Sequence, residues 1–190
     1  QAAPWNRKLH VSHSITINKP REDVYRFWRR LENLPRFMAH LEFVRENDPT
    51  RSHWCAKGPA GRHVEWDAEI TQDKPRQLIA WRSLDGSEVF NEGEVHFFDA
   101  PGGRGTEVHV SLRYAPPGGT FGALMARLYG EDPQSQIEDD LRRMKALLET
   151  GEIPTIAGQP RGKGGRAPIG ARMVDLIESR TPAQNPSQAA

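Results

Sequence analysis

HVEWDAEITQDKPRQLIAWRSLDGSEVFNEGEVHFFDAPGGRGTEVHVSLRY, residues 63–114, is the stretch that decides the fold. Residues 63–71 alternate strictly. Val64, Trp66, Ala68 and Ile70 fall on one side and His63, Glu65, Asp67 and Glu69 on the other, the two-residue period of a strand with one face buried. Gln72–Arg76 turns the chain into Gln77–Ser83, and Asp85-Gly86 turns it again into Glu88–Phe98. Ala100–Gly105 (APGGRG) is a glycine-rich hairpin loop before a last strand, Thr106–Tyr114. Strands that follow one another through short turns make an antiparallel sheet, not a doubly wound α/β fold. With the last hairpin pivoting on Gly102-Gly103, His96 lies opposite His109, Val95 opposite Val110 and Phe97 opposite Val108. The valines and Phe97 then share one face, and the histidines point to the wet one.

Upstream, His10–Asn18 (HVSHSITIN) also alternates, with Val11, His13, Ile15 and Ile17 on one face. Lys19-Pro20 breaks this strand, and Pro20 suits the first turn of a helix, where its missing N–H has no partner to lose. Val24, Phe27, Trp28 and Leu31 follow at helical spacing. Asn33-Leu34-Pro35 interrupts, and Phe37, Met38 and Leu41 mark a second short helix. Phe43–Asn47 and Ser52–Lys57 then flank the turn Asp48-Pro49-Thr50.

Downstream, Leu124, Met125 and Leu128 predict a helical segment ending near Gly130. Asp132-Pro133 reads as an N-cap followed by proline at the first helical position. Ile137, Leu141, Met144 and Leu148 form one apolar stripe on a helix of roughly 17 residues, which Gly151 stops. Residues 152–190 are rich in Gly, Pro, Ser, Gln and Arg and read as a flexible tail. Residues 1–9 are a lead-in, which leaves 10–151 as the folded domain.

The chain has 190 residues and a formal net charge of +1, which removes the usual electrostatic argument for a nucleic-acid binder, so no nucleic-acid partner is expected. Cys55 is the only cysteine, which rules out an intrachain disulfide and a four-cysteine zinc site. No apolar run approaches the ~20 residues of a membrane span. These features point to a cytoplasmic protein. A start at Gln1 rather than Met leads us to expect an upstream segment, through which the chain could sit near a membrane.

The order strand, two short helices, strand meander and long final helix is that of the helix-grip fold. The segments ITINKPREDVYRFWRRLENLPRFMAHLEFV (15–44), RSHWCAKGPAGRHVEWDAEI (51–70), IAWRS (79–83), GRGTEVHVSLRY (103–114) and GEDPQSQIEDDLRRMKALLETGE (130–152) resemble the START-like (SRPBCC) superfamily. The likeness is to its bacterial polyketide cyclase/dehydrase branch and covers about residues 10–151. It implies an α+β fold in which a twisted antiparallel sheet wraps around a long C-terminal helix. It further implies a cavity between sheet and helix for a lipid, quinone or polyketide-like molecule. Some members of the superfamily close aromatic rings, and others carry lipids.

Trp54, Trp66 and Trp81 lie on strands and Trp28 on the first helix. They fit an aromatic-lined pocket for a flat or greasy ligand, and equally well the core of a small domain. His13, Arg82 and Asn91 are polar residues within apolar strand patterns. Facing inward, each could hydrogen-bond a ligand carbonyl or act as acid or base. Facing outward, which is the commoner case, each is only a solvated surface group. His96 and His109 lack a third ligand at recognisable spacing, so no metal site is expected. Cys55 reads as an inert thiol with no activating partner in view. The Glu65/Asp67/Glu69 row reads as solvated, as do Arg142, Arg143 and Lys145 on the final helix. No cofactor motif is present, since the glycines at 102–105 join antiparallel strands and do not open a helix. The expectation is therefore a binding or transfer module for a small hydrophobic molecule. A cyclase or dehydratase with unassigned catalytic residues and a regulatory interaction module are the alternatives.

Overall fold

The computed structural model describes residues 9–57, 61–87, 89–115 and 133–151. In chain order they form β1 (Leu9–Ile17), α1 (Arg21–Arg29), a 3₁₀ helix (Leu31–Arg36), β2 (Leu41–Glu46), β3 (Arg51–Lys57) and β4 (His63–Lys74). Then come β5 (Leu78–Ser83), β6 (Phe90–Asp99), β7 (Thr106–Ala115) and α2 (Pro133–Thr150). The helical segment expected near Leu124–Leu128, the cap at Asp132, the lead-in before residue 9 and the tail after Gly151 lie outside the described residues.

The strands make one seven-stranded antiparallel sheet in the order β1-β7-β6-β5-β4-β3-β2. From β2 to β7 each strand pairs with the next, because every connection is a short turn. The chain leaves β1 at one edge, crosses through α1 and the 3₁₀ helix, and starts the meander at the other edge. The last hairpin has the expected register: His96 faces His109, Val95 faces Val110 and Phe97 faces Val108. The sheet curls into a half-barrel that, together with α2, gives the α+β helix-grip architecture.

Three local readings change. The expected second helix at Phe37–Leu41 is instead the 3₁₀ helix Leu31–Arg36, with Pro35 inside it. Proline fixes φ near −65°, a value a 3₁₀ turn uses, so Pro35 continues the turn rather than ending one. Phe37 and Met38 follow it as buried plugs, and Leu41 already opens β2. β4 runs to Lys74, past the expected end at residue 71, because a register shift between Ile70 and Gln72 absorbs the break in alternation. On α2 the buried apolar residues are Ile137, Leu141, Met144 and Leu147, with Leu148 only partly buried. The buried face of the helix thus includes Leu147, and besides the sheet α2 has a second partner, the backbone just after the 3₁₀ helix.

Edge strand β1 is covered by α2 through polar bonds as well as packing. Gln134 Nε2 donates to Ser12 O at 2.8 Å, Lys145 Nζ donates to Thr16 O, and Asn18 N donates to Glu149 Oε1 at 2.7 Å. These side chains occupy backbone groups on β1 and just after it that would otherwise form an unpaired edge. Lys145 therefore holds the helix to the sheet and does not simply point to water. At the hairpin loop, Gly105 sits at φ +100°, and a Cβ there would lie 2.2 Å from Ile17 O. Glycine is required by both the backbone conformation and the close approach.

Candidate site on the concave face

Alternation along the strands sorts the residues into two faces. Val44, Trp54 and Trp66 are directly opposite one another across β2, β3 and β4. Ile70, Trp81, Gly93, Leu112 and Val11 form a second row across β4, β5, β6, β7 and β1. These rows belong to the concave face, whose core α2 completes. Gly93 has a packing reason: a Cβ there would lie 2.3 Å from Trp81 Cζ2, so the indole of Trp81 occupies the space above it.

The tryptophans form a continuous array. Trp66 stacks on Trp54 with ring centroids 5.8 Å apart, and Trp54 on Trp81 at 6.2 Å. Trp81 meets Trp28 of α1 at 6.3 Å, and Trp28 meets Phe37 at 5.4 Å. The two inner indoles are satisfied, with Trp54 Nε1 donating to Ser52 Oγ at 2.8 Å and Trp81 Nε1 to Asn91 Oδ1 at 3.0 Å. The two outer ones are not: the N–H groups of Trp28 and Trp66 are buried without an acceptor. An orphan buried donor costs roughly 1–3 kcal/mol, so two in one aromatic array need an explanation.

Of the residues singled out from sequence, Trp54, Trp66, Trp81 and Asn91 come together here. His13 also lies on this face, opposite Val110. Its Nδ1 is 3.8 Å from Glu138 Oε1 of α2, and both side chains are about one-third exposed, at 27% and 34%. Arg82 does not join them. It is opposite Glu69 and Glu92 on the convex face, exposed, and paired with Glu69 at 2.8 Å. That carboxylate is the acceptor its guanidinium requires, so Arg82 does not reach the concave side.

Other polar groups lie away from the array. His53 bridges Asp67 and Glu65 at 2.8 Å each on the convex face, and its pKa is raised first by Asp67 and then by Glu65. The acidic row is thus partly engaged. Cys55 is buried, and that burial pushes its thiol pKa up, away from nucleophilic character. A convex-side depression of about 130 Å³ is lined by Gln72, Glu92, Glu94, Ser111 and Arg113 among others. It is too small and polar for an apolar ligand, whose pockets start near ~300 Å³. Among the described residues no group of three or more His, Cys, Asp or Glu is arranged to hold a metal ion.

At the junction of α2 with the segment after the 3₁₀ helix, Asp140 is buried and accepts from Ala39 N at 3.2 Å and from Arg143. Arg143 Nε also donates to Phe37 O at 2.9 Å, so this arginine is a clamp rather than a solvated surface group. Burial raises the Asp140 pKa to about 6, while burial and then Arg143 and Lys57 lower that of His40 to about 4. At the other end of α1, Arg29 Nε donates to Asp73 Oδ2 at 2.7 Å and Tyr25 Oη to Asp73 Oδ1 at 2.6 Å. Burial and this bond push the Tyr25 pKa up to about 12. Both networks fix helices around the array without facing it.

A family model described as polyketide cyclase/dehydrase and lipid transport matches residues 17–142, from the end of β1 into α2. The chain belongs to the polyketide cyclase/dehydrase and lipid transport family. A crystal structure from Deinococcus radiodurans is similar at 43% identity and a TM-score of 0.64, covering 76% of this chain and 99% of that one. A START superfamily protein from Mycobacterium smegmatis shares the fold at 16% identity and a TM-score of 0.56, over 73% of this chain and 98% of its own. An uncharacterized 17.2 kDa protein of Streptomyces lincolnensis is 29% identical over 141 residues, 73% of this chain and 89% of the relative.

In this member of the polyketide cyclase/dehydrase and lipid transport family, sequence reading missed Glu138 as the neighbour of His13 and Ser52 as the acceptor for Trp54. Ser52 could have been found, since it lies two residues before Trp54 on the same strand face. Glu138 could not, because its partner comes from a strand 125 residues away (138 − 13).

Proposed function

We propose that the protein binds, and carries, a small hydrophobic molecule against the concave face of the sheet beneath α2, without transforming it. The observation supporting this is the four-indole array on and beside that face, with Trp66, Trp54, Trp81 and Trp28 in sequential ring contact. Flat indole surfaces offer large apolar area with little rotamer entropy to lose, which suits a planar or greasy ligand. Family membership supports the same class of ligand.

The test is calorimetric and thermal titration of the full chain with a panel of fatty acids, prenyl quinones and aromatic polyketides. A ligand at a hundredfold excess over its Kd is expected to stabilise the fold by about 2.7 kcal/mol. No heat and no thermal shift with any panel member would sink this reading.

A cyclase or dehydratase is the second reading, favoured by His13 and Glu138 at 3.8 Å. A carboxylate beside an imidazole can orient it for general acid–base work. Under this reading His13→Gln abolishes turnover of a poly-β-ketone substrate while leaving its binding intact. Under the first reading no turnover exists to lose.

A further inference from the structure

We infer that the ligand carries a hydrogen-bond acceptor, a ketone, quinone or similar oxygen, that takes its bond from the indole N–H of Trp66. This inference rests on the ligand-binding reading above and adds to it the polar half of recognition. Trp66 is 6% exposed, and its Nε1 has no partner. The other strand tryptophans show what the fold does with such donors: Ser52 and Asn91 are supplied as acceptors for Trp54 and Trp81. Trp66 is the one strand tryptophan, among the described residues, left without a protein acceptor.

The nearest neighbours of Trp66 on its own sheet face are apolar. The same-face neighbours of Trp66 are Trp54 opposite and Val64 and Ala68 two residues either way, whereas a buried water needs ~2–4 polar partners. A planar aromatic ketone meets both requirements together, its rings against the stacked indoles and its oxygen on the N–H. Trp28 also lacks an acceptor, but it is wholly enclosed between α1, Phe37 and Trp81. It belongs to the packed side of the array, whereas Trp66 is on the sheet face that α2 covers.

The experiment pairs 9-fluorenone with fluorene, which share a ring frame and differ in the carbonyl. Binding of each is measured by calorimetry to the wild-type chain and to Trp66→Phe, which keeps an aromatic ring and removes the donor. The fluorenone-to-fluorene affinity ratio is expected to fall about tenfold in the variant, equivalent to about 1.4 kcal/mol of coupling. In ¹H–¹⁵N spectra of the wild type, the Trp66 indole resonance should move downfield with fluorenone and not with fluorene. That measurement decides the matter if Trp66→Phe does not fold. A ratio unchanged by the variant, or a Trp66 resonance that responds alike to both compounds, overturns the acceptor assignment and leaves ligand binding standing. If neither compound nor any member of the wider panel binds, the binding reading falls and this inference with it.

Discussion

The two faces of the same seven strands treat polar atoms in opposite ways. On the convex face several polar residues have found partners: His53 holds Asp67 and Glu65, Arg82 holds Glu69, and His109 contacts Glu107 at 2.6 Å. On the concave face, where a missing hydrogen bond costs most, the indole N–H of Trp66 has none, and neither has that of Trp28 on α1 at the end of the same array. Water would satisfy the convex groups anyway, so their pairing is worth little. The concave donors lack that fallback, which makes them the informative ones. Adjacent residues of one strand, such as Trp81 and Arg82, thus carry very different consequences.

The largest expected effect comes from the helix that covers the concave face. Leu141 is fully buried, and Leu141→Asp would place an unpaired charge in the core. It should cost more than ~4 kcal/mol and unfold the domain, as read by circular dichroism and urea titration. A folded variant would mean that α2 is not integral to the core. Next is Trp81→Ala, expected to destabilise by roughly 3–5 kcal/mol and to weaken binding of planar ligands. Unchanged ligand affinity in a folded Trp81→Ala protein would detach the site from the array. Gly93→Ala should cost about 1–3 kcal/mol, since its methyl group collides with the Trp81 ring. Trp emission, which reports the ring environment, should shift with it.

The polar junction of α2 sharpens the contrast through pH. His40 is depressed to about 4, so the unfolded chain binds more protons there between about pH 4 and 6.5, and acidification through that range removes stability. Asp140 is raised to about 6, so the folded chain binds more protons between about pH 4 and 6, and acidification adds stability. The two slopes oppose each other. Asp140→Asn leaves the His40 slope alone, so the variant should become more acid-sensitive than wild type in urea titrations at pH 4.5 and 7. Equal acid sensitivity would show that these groups do not oppose each other. The smallest effect belongs to the convex face: Arg82→Ala should change neither Tm nor ligand affinity measurably. A loss of affinity there would break the division between the faces.

The alternation of Val64, Trp66, Ala68 and Ile70 was enough to assign β4 a buried side, and short turns were enough to make the sheet antiparallel. The His96–His109 register followed from hairpin geometry and two apolar pairs, because a one-residue slip would reverse both faces. These are short-range constraints, carried by period two and by turn length. The direction of Arg82 was not legible in that way, since period two gives two faces without saying which polar residue has a partner on its own. Only the pairing of β4 with β5 brought Glu69 opposite it. The 3₁₀ helix at Leu31–Arg36 was hidden for a similar reason, because proline marks both turn and interruption. The indole array, the contact of His13 with Glu138 and the burial of Asp140 against Ala39 join residues far apart in the chain. Local pattern has no term for such distances, so tertiary packing decided which tryptophans meet and left Trp28 and Trp66 without an acceptor.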